Sequence, residues 1–161
     1  MTRPRIRTAP DRALWRAARL AALTDAPDAF TRGLADWYRG GEEEWMSRLE
    51  RAGTFNVVAV GARDERPVGL VRGVPQGAGI AQVRSLWVCS TVRGQGLGDR
   101  LLALVAGWAQ RSGARTLTLA VLPGNVHALA LYERNGFVRT GRTVDPLPSG
   151  TREHVMAKPL R

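Results

Sequence analysis

The sequence predicts a mixed α/β (α+β) fold in a single domain spanning residues 1–161, and three observations carry that prediction. The chain has 161 residues, 44% apolar and 24% charged, which suits one domain with a buried core. The spacing of apolar residues switches between helical and alternating. The order it spells is strand, helix, helix, three strands, helix, strand, helix, two strands. A glycine-rich turn then stands between a strand and a helix, just past the middle of the chain.

Ile6 to Ala9 reads as a short first strand. Asp11 is an N-cap for a helix carrying Leu14, Trp15, Ala18, Leu20 and Leu23. The stretch Thr24 to Phe30 breaks that helix, because Pro27 disfavours a helical Ala26. Gly40 and Gly41 form a loop, and Glu42, Glu43 and Glu44 open a second helix, complementing its positive N-terminal dipole. Trp45, Met46 and Leu49 give it an apolar side, and Gly53 ends it. Thr54 to Val60, Val68 to Val74 and Ile80 to Val88 form an antiparallel meander, with turns at Asp64 to Pro67 and Pro75 to Gly79. Behind the glycine turn, Leu97, Leu101, Leu102, Val105 and Trp108 recur at helical spacing up to a stop at Gly113. Thr116 to Val121 is a buried strand. Asn125 caps a short helix with Ala128, Leu129 and Tyr132, which Asn135 and Gly136 terminate. Phe137 to Thr143 and Glu153 to Ala157 close the sheet.

Composition excludes several classes. The longest apolar run, Leu101 to Ala109, is nine residues, far below the ~18 of a membrane span. No apolar stretch follows the basic N-terminus, so no secretory signal is read and no membrane partner is expected. Cys89 is the only cysteine, which leaves no intramolecular disulfide or cysteine metal cluster and makes a reducing cytoplasm the default. The formal charge is +10, and Lys158 is the only lysine among 24 cationic residues. Such a field attracts anions, either nucleic acid or a small polyanion. The arginines are scattered without a dense run, which disfavours a nucleic-acid arm.

The turn Arg93 to Gly98 carries the chemistry. A helix N-terminus leaves backbone N–H groups unpaired and, with its dipole, makes an anion site. Glycines at 94, 96 and 98 let phosphate oxygens approach the backbone, and Arg93 adds charge and paired donors. A dinucleotide fold is opposed by the position after a meander, by Asp99 where a third glycine belongs, and by the lack of an acidic residue within Leu117 to Leu122. No Gly-Lys-Ser/Thr is present, so the turn is not a P-loop.

Arg93-x-x-Gly96-x-Gly98 matches the pyrophosphate signature of the GNAT superfamily of N-acetyltransferases. About thirty residues on, Asn125, Ala128, Tyr132, Arg134, Gly136 and Phe137 resemble its second signature. The resemblance is strong from Ile80 to Thr143 and rests on element order elsewhere. It implies a mostly antiparallel sheet of six or seven strands with four helices and splayed central strands. It also implies acetyl-CoA as cosubstrate, no metal, and a small-molecule or peptide amine as acceptor. The backbone amides of Arg93, Gly94, Gln95, Gly96, Leu97 and Gly98 would hold the CoA pyrophosphate. Pantetheine would pair with Leu86, Trp87 and Val88 beside a bulge, with the Val88 N–H on the thioester carbonyl. Asn125 would contact the pantetheine arm, and Tyr132 would protonate the departing thiolate. Family members often form homodimers, and the segments Leu20 to Phe30 and Glu42 to Trp45 are similar to a bacterial GNAT subgroup.

The chain departs from the family pattern in its base. The family's usual carboxylate is missing from Ile80 to Val88, where Ser85 or Gln82 would only organise water. Glu44, Asp28 and Asp36 are the substitutes on the acceptor side, each read more simply as a solvated carboxylate. Trp37, Tyr38 and Trp45 either wall the acceptor pocket or cover the core. Cys89 reads as a half-buried filler, His127 as an exposed first-turn residue and His154 as a strand residue. The alternative to an enzyme is a non-catalytic acyl-CoA-binding sensor or interaction module.

Overall fold

The computed structural model describes residues 3–26, 41–147 and 149–161; Asp28, Asp36, Trp37, Tyr38 and the side chains of Trp45 and Leu49 lie outside the described residues. The elements are β1 (Arg5–Arg7), α1 (Arg12–Asp25), α2 (Glu42–Leu49), β2 (Phe55–Val60), β3 (Pro67–Gly77), β4 (Ile80–Val88), α3 (Leu97–Arg111), β5 (Thr116–Val121), α4 (Val126–Arg134), β6 (Val138–Thr143) and β7 (His154–Pro159). The strands form one mixed seven-stranded sheet in the order β1-β2-β3-β4-β5-β7-β6. β4 pairs parallel with β5, and β5 pairs antiparallel with β7 from Thr116↔Pro159 to Val121↔His154. Among the described residues no helix is long and apolar enough to cross a membrane.

Contacts gather the chain into two compact units, one of residues 1–72 and 85–101, the other of 73–84 and 102–161. The first unit has a core of Trp15, Ala18, Ala22 and Leu23 from α1, Met46 from α2, and Val58, Val60, Leu70 and Trp87 from the strands. α1 starts because Asp11 Oδ1 accepts the Leu14 N–H at 2.8 Å. Two arginines enter this unit's interior. Arg72 donates to Asn56 Oδ1 and to the Arg48 carbonyl, both at 3.1 Å. Burial, with Arg72 and Arg48 nearby, lowers Arg19 to about 9, which leaves it charged at neutral pH. The edge strand β1 is three residues long and carries Arg5 and Arg7, which both reach Glu65, a short charged edge that resists further strand pairing.

In the second unit Leu117, Leu119 and Val121 are buried on alternate positions of β5, and Val105, Ala109, Leu129, Phe137 and Met156 are buried as well. β6 is exposed along its whole length, and its register with β7 shifts between Arg139 and Thr143.

The structure corrects the expected turn at Pro75 to Gly79. β3 runs through Pro75 to Gly77, and the chain reverses in two residues, Ala78 (φ 55°) and Gly79 (φ 76°). With Gly77 (φ 78°) before them, three successive positive φ angles turn the chain. Pro75 lies in the last three residues of the strand, which are exposed. The first strand is also one residue earlier than expected, and the last extends to Pro159.

Candidate active site

The end of β4 leads into the site. Ser85 has φ 60°, rare for a residue with a side chain, inside β4 between Arg84 and Leu86. The β4–β5 ladder covers Ile80↔Thr116 to Gln82↔Thr118, and both strands run on beyond it. Past Ser85, Trp87 is buried while Leu86 and Val88 are half-buried. The Cys89 N–H donates to the Val68 carbonyl at 2.8 Å, which ties the strand's end to β3.

A 3₁₀ turn over Ser90–Val92 follows, and Arg93 Nε donates weakly to the Val88 carbonyl at 3.4 Å. Gly94 (φ 79°) and Gly96 (φ 80°) are left-handed, and a Cβ on either would meet nothing within 4 Å. Their backbone therefore faces open space that side chains would fill. α3 starts immediately after, its first bond running from the Arg100 N–H to the Gly96 carbonyl at 3.1 Å. Amides in the first turn of a helix lack intrahelical acceptors, so this backbone fits an anionic pyrophosphate group. Leu97, 2% exposed, anchors the helix start in the core.

A carboxylate that the sequence reading passed over lies against this turn. Asp25, at the end of α1, accepts from Ser90 Oγ at 2.6 Å, Trp87 Nε1 at 3.0 Å and the Ser90 N–H at 3.1 Å. The Ser90 hydroxyl first, then Trp87, the Ser90 amide and Arg93, hold its carboxyl below the ordinary range against the opposing effect of burial.

Within the second unit, Asn125 caps α4, its Oδ1 accepting the Ala128 N–H at 3.2 Å. Tyr132 is 9% exposed and meets Phe137 edge-on at 6.0 Å. Burial, with Glu153 adding negative charge, pushes its phenol up to about 12. The half-buried Glu153 precedes β7, and desolvation raises its carboxyl. The sequence reading missed this residue too, because nothing local predicts its burial beside Tyr132.

The first unit thus brings together Leu86, Trp87, Val88 and Arg93 to Gly98, and the second holds Asn125 and Tyr132. The other candidates have different work. Glu44 pairs with Arg48 at 2.5 Å. Gln82 Oε1 accepts from Gln76 and Arg84, both at 2.8 Å. Cys89 is half-buried with Sγ 3.2 Å from Thr91 Oγ1, and His127 is exposed.

The Acetyltransferase (GNAT) family model matches residues 18–137. An uncharacterised N-acetyltransferase of Bacillus subtilis, YhfO, is 29% identical over 126 residues, covering 75% of this chain and 83% of that protein. The mycothiol acetyltransferase of Renibacterium salmoninarum is 29% identical over 147 residues, 88% of this chain but 42% of that protein. The structure of a GCN5-related N-acetyltransferase from Kribbella flavida is 28% identical, with a TM-score of 0.74 over 98% of both chains.

Proposed function

The chain belongs to the GNAT family of N-acetyltransferases, and on that premise we propose that it transfers the acetyl group of acetyl-CoA to a primary amine by direct attack in a ternary complex. The observation that carries this reading is the turn: two left-handed glycines facing open space at the start of α3, with Arg93 beside them. We read residues 1–161 as one catalytic domain working in the cytoplasm.

In this reading the amides of Arg93 to Gly98 hold the pyrophosphate, and the backbone of Leu86, Trp87 and Val88 receives the pantetheine arm. Asn125 spends Oδ1 on its cap and has its amide N–H groups for the same arm. Bound acetyl-CoA supplies an activated acyl group and a thiol leaving group. The Val88 N–H stabilises negative charge on the thioester oxygen. Tyr132 donates its phenolic proton toward the sulfur.

The acceptor must lose a proton. An alkyl ammonium of pKa near 10.4 is neutral in only about one molecule in a few thousand at pH 7, and only the neutral amine attacks. β4 has no carboxylate. We assign the proton-accepting role, directly or through water, to Glu153, whose half-burial raises its carboxyl above the ordinary carboxylate range and whose charge acts on Tyr132. The acceptor class is a small-molecule or peptide amine.

Calorimetric titration with acetyl-CoA tests the cosubstrate. Saturable binding that Gly96→Glu abolishes is expected, because a side chain at φ 80° would strain the turn and project into its open face. A folded wild type that binds no acetyl-CoA would refute the reading.

A further inference from the structure

We propose that Asp25 is a positioning residue that presets the anion-binding turn: its carboxylate, at the end of α1, fixes Ser90 and Trp87, with Arg93 on a looser contact, in the arrangement that receives the CoA pyrophosphate. The inference rests on the assignment of the pyrophosphate to Arg93 to Gly98.

Asp25 is in an unfavourable place for a carboxylate. It closes the last turn of α1, where the dipole is negative, and no basic residue stands in that turn to offset it. Its contacts lie elsewhere. Oδ1 takes the Ser90 hydroxyl at 2.6 Å, and Oδ2 takes both Trp87 Nε1 at 3.0 Å and the Ser90 N–H at 3.1 Å. One carboxylate so joins the last buried residue of β4 to the first residue of the 3₁₀ turn. The side chain is only 19% exposed, so these charge-assisted bonds are partly shielded from water.

Arg93 is held differently. Its side chain is 60% exposed and its guanidinium stands 3.9 Å from Oδ2, at the limit of an ion pair. Asp25 therefore clamps the turn through Ser90 and Trp87 but keeps Arg93 on a loose contact, from which the guanidinium can pass to a phosphate.

Two effects of removing Asp25 oppose each other. Freeing Arg93 from a weak, exposed pair tightens pyrophosphate binding by about twofold at most. Loss of three hydrogen bonds that preorder the turn weakens it by about tenfold. Weakening wins.

The experiment combines acetyl-CoA titration of the wild type, Gly96→Glu, Asp25→Ala and Asp25→Asn with amide hydrogen exchange of the ligand-free proteins. Asp25→Ala is expected to weaken acetyl-CoA about tenfold and to speed exchange in residues 86–98, while β5 and β7 keep their protection. Asp25→Asn, which retains one oxygen for the Ser90 hydroxyl, is expected to fall between. Unchanged or tighter binding in Asp25→Ala overturns the proposal and leaves the turn assignment standing. Faster exchange throughout the protein would mark a general structural role and overturns it too. If Asp25→Ala does not fold, unchanged affinity in Asp25→Asn has the same force. A wild type that fails to bind, or Gly96→Glu binding equally well, removes the turn assignment and this proposal with it.

Discussion

In the proposed reaction Tyr132 is a weaker acid than the thiol it would protonate. A thiol ionises near pKa 8.5, whereas burial and Glu153 push this phenol up to about 12. Full proton transfer to a departing thiolate is therefore uphill unless the proton released by the acceptor amine arrives in concert. The raised value has a use, since it keeps the phenol protonated and able to donate to developing charge on sulfur. Tyr132→Phe should lower kcat about a hundredfold with little change in acetyl-CoA affinity, as steady-state kinetics and calorimetry will measure; an unchanged kcat removes the role. Glu153 has the opposite linkage to a salt-bridged carboxylate. Burial holds its folded value above the ordinary carboxylate value, so the stability it contributes is complete below that ordinary value and is lost as pH rises through the folded one. Once ionised, the half-buried group is a cost. Glu153→Gln should melt higher than wild type at pH 7, by under about 1 kcal/mol for a half-exposed group, and level with it near pH 4. The same variant should lose the acid limb of its kcat/KM profile; a limb that persists would assign the proton acceptor elsewhere. Arg93 to Gly98 and Tyr132 were legible as candidates in the sequence, because such chemistry demands particular residues at fixed spacing. Asp25 was not: its partner Ser90 is 65 positions away, and only tertiary packing brings them together.

At the scale of elements, two glycines let α3 lie close against β3. A Cβ on Gly69 would come 3.0 Å from Leu97 Cδ2 and 3.2 Å from the Trp87 carbonyl. A Cβ on Gly73 would come 2.5 Å from Trp108 Cζ3 and 2.6 Å from Cε3. Trp108 is a rigid double ring, so it must rotate or the helix must lift. Gly73→Ala should therefore cost about 1–3 kcal/mol, read as a lower denaturation midpoint without a change in slope; an unshifted midpoint would mean that the indole moves freely. These contacts explain what the sequence predicted well and what it did not. The caps at Asp11 and Asn125 and the stripe from Leu97 to Trp108 are local, and each element begins within a residue or two of its expected place. Pro75 misled because proline normally ends a strand. The end of β3 is exposed, where a missing N–H costs little, and Gly77, Ala78 and Gly79, all at positive φ, make the reversal. Nor did periodicity reveal where the β4–β5 ladder stops, since pairing belongs to two strands and each looks regular by itself.

For the molecule as a whole, the governing quantity is its charge. The formal net charge is +10, and ion pairs do not change it, because the sum already counts both partners. Arg5 and Arg7 with Glu65, Arg12 with Glu50, Arg16 with Glu42 and Arg48 with Glu44 tie down arginines around the first unit. They redistribute the field but leave its sum. A basic protein field concentrates a polyanionic ligand before any contact forms, and salt removes that attraction over a Debye length of ~10 Å at 0.1 M. Acetyl-CoA should therefore associate several-fold more slowly when ionic strength rises from about 0.05 to 0.5 M, with the dissociation rate much less affected. Stopped-flow measurement of both rates separates this long-range steering from the short-range hold of the turn. A dissociation rate that carries the salt dependence would instead place the decisive charge in direct contact with the ligand, and Arg93 would then account for the affinity that the surface arginines do not.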